Sequence, residues 1–412
     1  MRTAISVIIG IAAALAWSTA GAQERPVLDS GAPLAEAQIS QDGREARALE
    51  AMLKGIELPD GFGIELFAMA PGARHFALSP SKRIVFVGTR GGDVWAISLN
   101  PEGNTAERVA AFAPFVDFTM PHGVCFAPDG TLYIAEQNRV LAFPQAEETF
   151  SADAITAEVV VPQGRLIPPN EESSSHSTRV CDIGPDGRFY VTLGQPYNVT
   201  PADKVALYEE LGIGGILAMQ ANGSDREVYS VGIRNSAGME FRPASGDLWW
   251  TDNQVDGMGN DIPPEEINRQ TAAGQHFGFP WYGGGTIRTR PFRDSQPPEG
   301  LIFPVVETDA HAASLGMTFY TAEQFPERYK GGIFVAQRGS WNRTPRIGAR
   351  VIFVPLDAQG NPGAVEIFAQ GWLDPRTSEY HGRLADVALL PDGSLLVSDD
   401  RSGAVYRIFY EG

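Results

Sequence analysis

Short apolar runs broken by a turn recur along the whole chain, and they recur as one phrase: an apolar strand, a Pro-containing turn, a second apolar strand, and an acidic or polar stop. The clearest copy is GVCFAPDGTLYIAE, from Gly123 to Glu136. The phrase returns as VCDIGPDGRFYVTLG (Val180 to Gly194), GMEFRPASGDLWWTD (Gly238 to Asp252) and DVALLPDGSLLVSDD (Asp386 to Asp400). Looser copies are HFALSPSKRIVFVGT (His75 to Thr89) and LGMTFYTAEQFPERYKGGIFVAQ (Leu315 to Gln337), which makes six. β-Branched and aromatic residues suit a pleated strand, and Pro-Asp-Gly combines a fixed φ, a local side-chain hydrogen bond and a permissive φ, so each phrase predicts a hairpin. Six such hairpins predict an all-β, six-bladed β-propeller in which each copy is the inner hairpin of a blade. The copies are spaced more widely than the ~40 to 45 residues of a compact blade, so long loops are expected on one rim. Loops of that kind carry propeller function.

Helical periodicity is confined to one place. AEAQISQDGREARALEAML, Ala35 to Leu53, predicts a short amphipathic helix within an N-terminal extension, residues 23–55, that precedes the propeller at 56–412. Ahead of it, residues 1–22 read as a secretory signal peptide: Arg2, an apolar run from Ala4 to Trp17, and the small-residue exit Ala20-Gly21-Ala22. The run is short for a membrane span and no later stretch approaches that length, so the expected location is periplasmic or secreted.

The 412 residues carry a net charge of −18, and cleavage would remove Arg2 and no acid, which argues against nucleic acid or an anionic membrane as partner. Gly 45 and Pro 30, spread throughout, fit a turn-rich fold. Cys125 and Cys181 are the two cysteines; an oxidising compartment permits one bridge between them, and a pair of buried thiols is the other reading.

Residues immediately before innermost strands ring the mouth of a propeller's central channel. His122, His176, Arg234-Asn235 and Arg383 hold that place in four copies, and the polar loop TDNQVDGMGNDIPPEEIN, Thr251 to Asn268, follows the fourth. Arginine offers forked hydrogen bonds to carboxylates and neutral histidine takes a proton near neutral pH, so this set suits an anionic, planar, redox or metal-bound ligand. GIGGI at Gly212 and GGG at Gly283 lack the strand-to-helix setting of a phosphate loop. His122 with Cys125 and His176 with Cys181 lack zinc-site spacing, and no nucleophile-elbow phrase is present.

Several segments together resemble the soluble PQQ-dependent glucose dehydrogenases and the related sorbosone and aldose sugar dehydrogenases. They are HSTRVCDIGPDGRFYVTLG from His176, GIRNSAGMEFRPASGDLWWTDN from Gly232, EEINRQTAAGQHFGFPWYGG from Glu265, RGSWNR from Arg338 and HGRLADVALLPDGSLLVSDD from His381. The resemblance covers about residues 60–410. It implies pyrroloquinoline quinone (PQQ) and Ca²⁺ as cofactors, a small sugar as substrate and a quinone or cytochrome c as electron acceptor. His176 matches the family's catalytic base, and Arg234 the arginine that stabilises charge on the quinone oxygen. Asn235 and His122 match polar cofactor contacts, and Arg383 an arginine that binds a cofactor carboxylate. Asn253, Gln254 and Val255 match the stretch whose second and third carbonyls hold calcium. Arg338 or Arg343 stands in for a cofactor lysine that has no counterpart. The chain departs from the glucose enzymes at Ser175, where they have an acid, and at Ala385, where they have a second arginine. A calcium-dependent propeller lactonase and a propeller binding module without chemistry are the other classes; the paired Arg234-Asn235 with Arg383 separates the dehydrogenase from the lactonase, and the missing arginine at Ala385 keeps the binding module open.

Overall fold

In a computed structural model of the chain, which describes residues 26–29, 38–150 and 155–412, six sheets stand around a central channel, antiparallel except for a short parallel outer strand, Gln275–His276, in blade three. The expected export signal and the first part of the extension lie outside the described residues. Each recurring phrase forms the two inner strands of one sheet, as its hairpin chemistry dictates. The innermost strands of blades one to six are Ala73–Leu78, Gly123–Phe126, Cys181–Ile183, Ser236–Phe241, Ser314–Phe319 and Leu384–Leu389. Each packs against the next, and the sixth returns to the first. The ring is closed by pairing Phe62–Met69 antiparallel to Ala404–Tyr410, so the last blade combines strands from both ends of the propeller.

Side chains alternate across every sheet, and each face is sealed against a neighbour. Trp249 packs toward blade five with Ile267 and Phe319, while Trp250, one residue on, packs toward blade three with Tyr190 and Ile216. Polar hooks add to this apolar seal where inner strands meet. Asp182 accepts from the Phe241 N–H (3.2 Å), Glu240 from Phe319 (3.1 Å) and Asp386 from Phe76 (2.8 Å). Burial raises all three carboxyls, Asp182 to about 6 and Glu240 and Asp386 to about 8.

A carboxyl whose folded pKa lies above its unfolded value stabilises fully below the unfolded value and loses that contribution as pH rises through the folded one. For Glu240 the window runs from 4.5 to about 8. Glu240→Gln keeps an acceptor for the Phe319 N–H and removes the charge. It is therefore expected to stabilise the protein at pH 9 by on the order of a few kcal/mol and to change it little at pH 4.5; thermal melts at the two pH values check this.

Cys125 and Cys181 form a disulfide, their Cα atoms 5.8 Å apart on the inner strands of blades two and three. Replacing both with alanine is expected to cost about 2 to 4 kcal/mol by releasing the unfolded chain, measured by denaturant melts.

The extension is more integrated than a spacer. Val27–Asp29 adds an outer strand to blade two, and Gln38 bridges to Ala110 in blade one. The predicted helix forms over Arg44–Leu53 and buries Ala46 and Leu53, the latter within the blade five to six core. No helix among the described residues is long and apolar enough to cross a membrane.

Candidate active site

The acidic stop of the repeated phrase has a structural task. In blade four, Asp252 ends the second strand and accepts from the backbone N–H groups of Arg234 (3.0 Å) and Asn235 (2.7 Å). In blade six, Asp399 accepts from the N–H of Arg383 (2.8 Å), and in blade two, Glu136 from that of Thr119 (2.6 Å). In these three blades the stop holds residues that precede the inner strand. Those of blades four and six line a cavity of about 220 Å³ at the channel mouth, to which blades one, three and five also contribute.

Seven residues expected from the sequence line it: His176, Arg234, Asn235, Asn253, Gln254, Arg338 and Arg383. His176 is held in the left-handed region, φ 50°, where a non-glycine residue is strained and needs support. Part of that support is Gly194, where a Cβ would come within 2.5 Å of the His176 carbonyl and 2.6 Å of Asn235 Oδ1. The His176 Nδ1 sits 2.6 Å from the Gln195 carbonyl, so Nδ1 carries the proton and Nε2 is left with a lone pair. Burial, then the charge of Arg234, lowers its pKa to about 4, so the ring is a neutral base throughout the physiological range. In cofactor-free protein the His176 ring resonances are expected to titrate near 4, and not near the 6.5 of an open histidine.

Arg234 is buried and pinned. Its Nε donates to the Asn198 carbonyl (3.0 Å), Nη1 to the Asn253 carbonyl (2.9 Å), and Nη2 to Asn198 Oδ1 and Asp256 (both 2.9 Å). On the opposite wall Arg74 and Arg338 share Asp400, and Arg383 lies over the Tyr380 ring while donating to the Arg338 and Gly339 carbonyls. One carboxylate between three guanidinia leaves that wall cationic. Burial lowers Arg74 and Arg383 to about 10, which leaves both charged at neutral pH.

Three expected site residues do not line the cavity. His122 is buried, stacked on His75 of blade one at 5.8 Å with its Nδ1 2.7 Å from the Arg179 carbonyl of blade three; it stands six residues before its turn proline, Pro128, where His176 stands nine before Pro185. Arg343 points along the rim to Asp261 (2.9 Å) and the Ala310 carbonyl (3.1 Å), fixing loops to one another. The Val255 side chain is packed against Gly283, although its carbonyl accepts no hydrogen bond from the described residues. Arg74, Arg90, Glu265, Trp341 and Asn342 also line the cavity. Arg74 directly precedes His75, the first residue of the loosest repeat copy, and that placement was its signal. Ala385 packs with Ala237 and Leu315 as an apolar cluster, and two of the three line the cavity, so an arginine there would be buried among aliphatic groups.

The fold and site define a six-bladed propeller with a cationic, histidine-bearing cavity at one mouth of its channel. The chain belongs to the glucose/sorbosone dehydrogenase family, whose sequence model matches residues 158–407. It is 27% identical over 371 residues to an uncharacterised protein of Borreliella burgdorferi, covering 88% of this chain and 93% of that one. It is 24% identical over 245 residues to a pyrroloquinoline quinone-dependent sugar dehydrogenase of Hypocrea jecorina, covering 54% and 55%. Its fold superposes with a TM-score of 0.70 on the holo form of the pyranose dehydrogenase PQQ domain of Coprinopsis cinerea, at 18% identity over 86% of this chain and 97% of that one.

Proposed function

We propose that this protein is a PQQ- and calcium-dependent dehydrogenase that oxidises a hydroxyl of a sugar or sugar aldehyde, with His176 as general base. The observation that carries the proposal is a histidine with a bare Nε2 sharing one cavity with several guanidinia. A ligand bearing several carboxylates matches the cationic wall of Arg74, Arg338 and Arg383. When bound, PQQ supplies a quinone carbonyl that accepts hydride, and calcium polarises it as a Lewis acid. His176 Nε2 takes the proton of the substrate hydroxyl, and Arg234 faces the negative charge that develops as hydride leaves the substrate carbon.

Oxygen donors for calcium are present. Among the described residues none donates to the carbonyls of Gln254 or Val255. Gln254 Oε1 and Glu265 Oε2 are buried with no hydrogen-bond partner. Such oxygen-only ligation is what Ca²⁺ prefers. The lactonase reading needs carboxylates open to the metal. Here Asp252 is occupied by the N–H groups of Arg234 and Asn235, and Asp256 by Arg234 and Asn342.

Trp341, 72% exposed on the rim of the cavity, is placed to stack on a sugar ring. Trp341→Ala is expected to raise KM for sugar about tenfold with a smaller effect on kcat, in steady-state assays. The export signal read from the sequence extends the proposal to a location outside the cytoplasm, with a quinone or cytochrome c accepting electrons there. Quenching of tryptophan fluorescence on titration with PQQ, with and without Ca²⁺, tests the binding half: saturable binding strengthened by Ca²⁺ is expected, and no binding at micromolar PQQ would defeat it.

A further inference from the structure

The reading above assigns work to His176 and Arg234 and none to the loop that joins them. That loop, Gln195 to Thr200, follows the second strand of blade three and folds around the buried side chain of Gln195. Gln195 Oε1 accepts from the Tyr197 N–H (2.9 Å) and the Thr200 hydroxyl (3.1 Å), and its Nε2 donates to the Tyr197 carbonyl. The Gln195 backbone faces both working groups, its N–H donating to the Arg234 carbonyl (3.2 Å) and its carbonyl meeting His176 Nδ1 (2.6 Å).

Three residues on, Asn198 is exposed, where an asparagine ordinarily spends its hydrogen bonds on water. Every polar atom of its side chain is instead engaged by the protein. Its Oδ1 accepts from Arg234 Nη2 (2.9 Å) and from the Asp256 N–H (2.9 Å), and its Nδ2 donates to the Asp256 carbonyl (3.0 Å). Its carbonyl accepts from Arg234 Nε (3.0 Å), so one residue grips two nitrogens of the guanidinium.

We infer that Asn198 is a positioning residue that fixes the Arg234 guanidinium relative to the His176 ring, an inference that rests on the proposed dehydrogenase reading of the site. A long arginine side chain gives up rotamer freedom only where its donors are engaged, and a reacting geometry displaced by ~1 Å loses on the order of 10²-fold in rate. With Nε, both Nη2 hydrogens and one Nη1 hydrogen committed, a single Nη1 N–H remains for a ligand, and its direction is set by the other four bonds. Asparagine suits the task because it is neutral: it orients the cation without quenching its charge, as a second carboxylate beside Asp256 would.

Asn198→Ala and Asn198→Asp are the variants to compare, in two measurements. In cofactor-free protein, the Arg234 Nη2–H resonance donated to Asn198 Oδ1 is expected to be resolved and slow to exchange in the wild type and in Asn198→Asp, which keeps the side-chain acceptor. It is expected to exchange rapidly in Asn198→Ala. In PQQ- and Ca²⁺-loaded enzyme, Asn198→Ala is expected to lower kcat about 10- to 100-fold with KM for sugar within about threefold, at an unchanged melting temperature. Asn198→Asp keeps the Oδ1 acceptor for Arg234 Nη2 and adds a negative charge, so its kcat falls although that N–H stays slow to exchange. An unchanged Arg234 resonance in Asn198→Ala overturns the inference, whatever the rate does. A wild-type enzyme that fails to turn over sugar with both cofactors defeats the dehydrogenase reading instead, and the resonance comparison still decides the role of Asn198.

Discussion

His176→Ala lowers kcat for quinone-linked sugar oxidation by about 10² to 10⁴-fold, while PQQ binding remains within a few-fold of wild type. The size of the effect follows from the lack of a substitute base in the cavity. His311, the other histidine lining it, has both ring nitrogens occupied, Nε2 by the Gly259 carbonyl (2.7 Å) and Nδ1 by the Asn342 amide (3.2 Å). Glu265, whose buried Oε2 is one of the oxygens offered to calcium, is engaged by the metal in the loaded enzyme on this proposal. Asp256 is bonded to Arg234 and Asn342. His176 alone among these presents a bare nitrogen. Its Nδ1 bond to the Gln195 carbonyl fixes the tautomer without a carboxylate, so the ring stays neutral across the working range of pH. Rapid-kinetic measurement of quinone reduction, alongside equilibrium binding of the cofactor, checks both halves of the prediction.

Arg383→Ala acts on the other half, weakening PQQ binding by about 10- to 100-fold, the equivalent of one charge-assisted hydrogen bond of ~1.5 to 3 kcal/mol. The guanidinium lines the cavity, anchored by the Arg338 and Gly339 carbonyls and by the Tyr380 ring rather than by a carboxylate. Asp400, which acts on its charge, is shared by Arg74 and Arg338. Arg383→Lys keeps the charge and loses the planar fork, so it falls between wild type and alanine. Raising ionic strength narrows the difference between the three by screening. Titration of each protein with PQQ at two salt concentrations checks the order.

Most of the fold was legible because a blade is a local object. The Pro-Asp-Gly turn, the strand composition and the acidic stop all lie within one short phrase, and the closing pair of Phe62–Met69 with Ala404–Tyr410 follows once the copies are known. The site was legible where it sits at a fixed offset from a clear phrase, as with His176, Arg234, Asn253 and Arg383. It was obscure where the offset differed: His122 stands six residues before its turn proline, Pro128, whereas His176 and Arg234 stand nine before Pro185 and Pro243. His122 precedes a well-formed copy, yet it turns down onto His75, whereas the left-handed backbone of His176 turns that ring into the cavity. Arg74 was hidden because its copy reads Ser-Pro-Ser-Lys where copies two, three and six read Pro-Asp-Gly. Arg343 lies in a loop with no periodicity, and its pairing with Asp261 joins two loops far apart in sequence. Asn198 carries no pattern at all, since its role depends on three loops meeting around one guanidinium.

The central claim is that this cavity performs quinone-linked sugar oxidation. Purified protein loaded with PQQ and Ca²⁺ and offered a panel of aldoses with a reducible dye is the most direct test. Dye reduction is expected to require both cofactors and to disappear in His176→Ala. Cofactor binding without dye reduction from any sugar, or dye reduction that survives in His176→Ala, would contradict it.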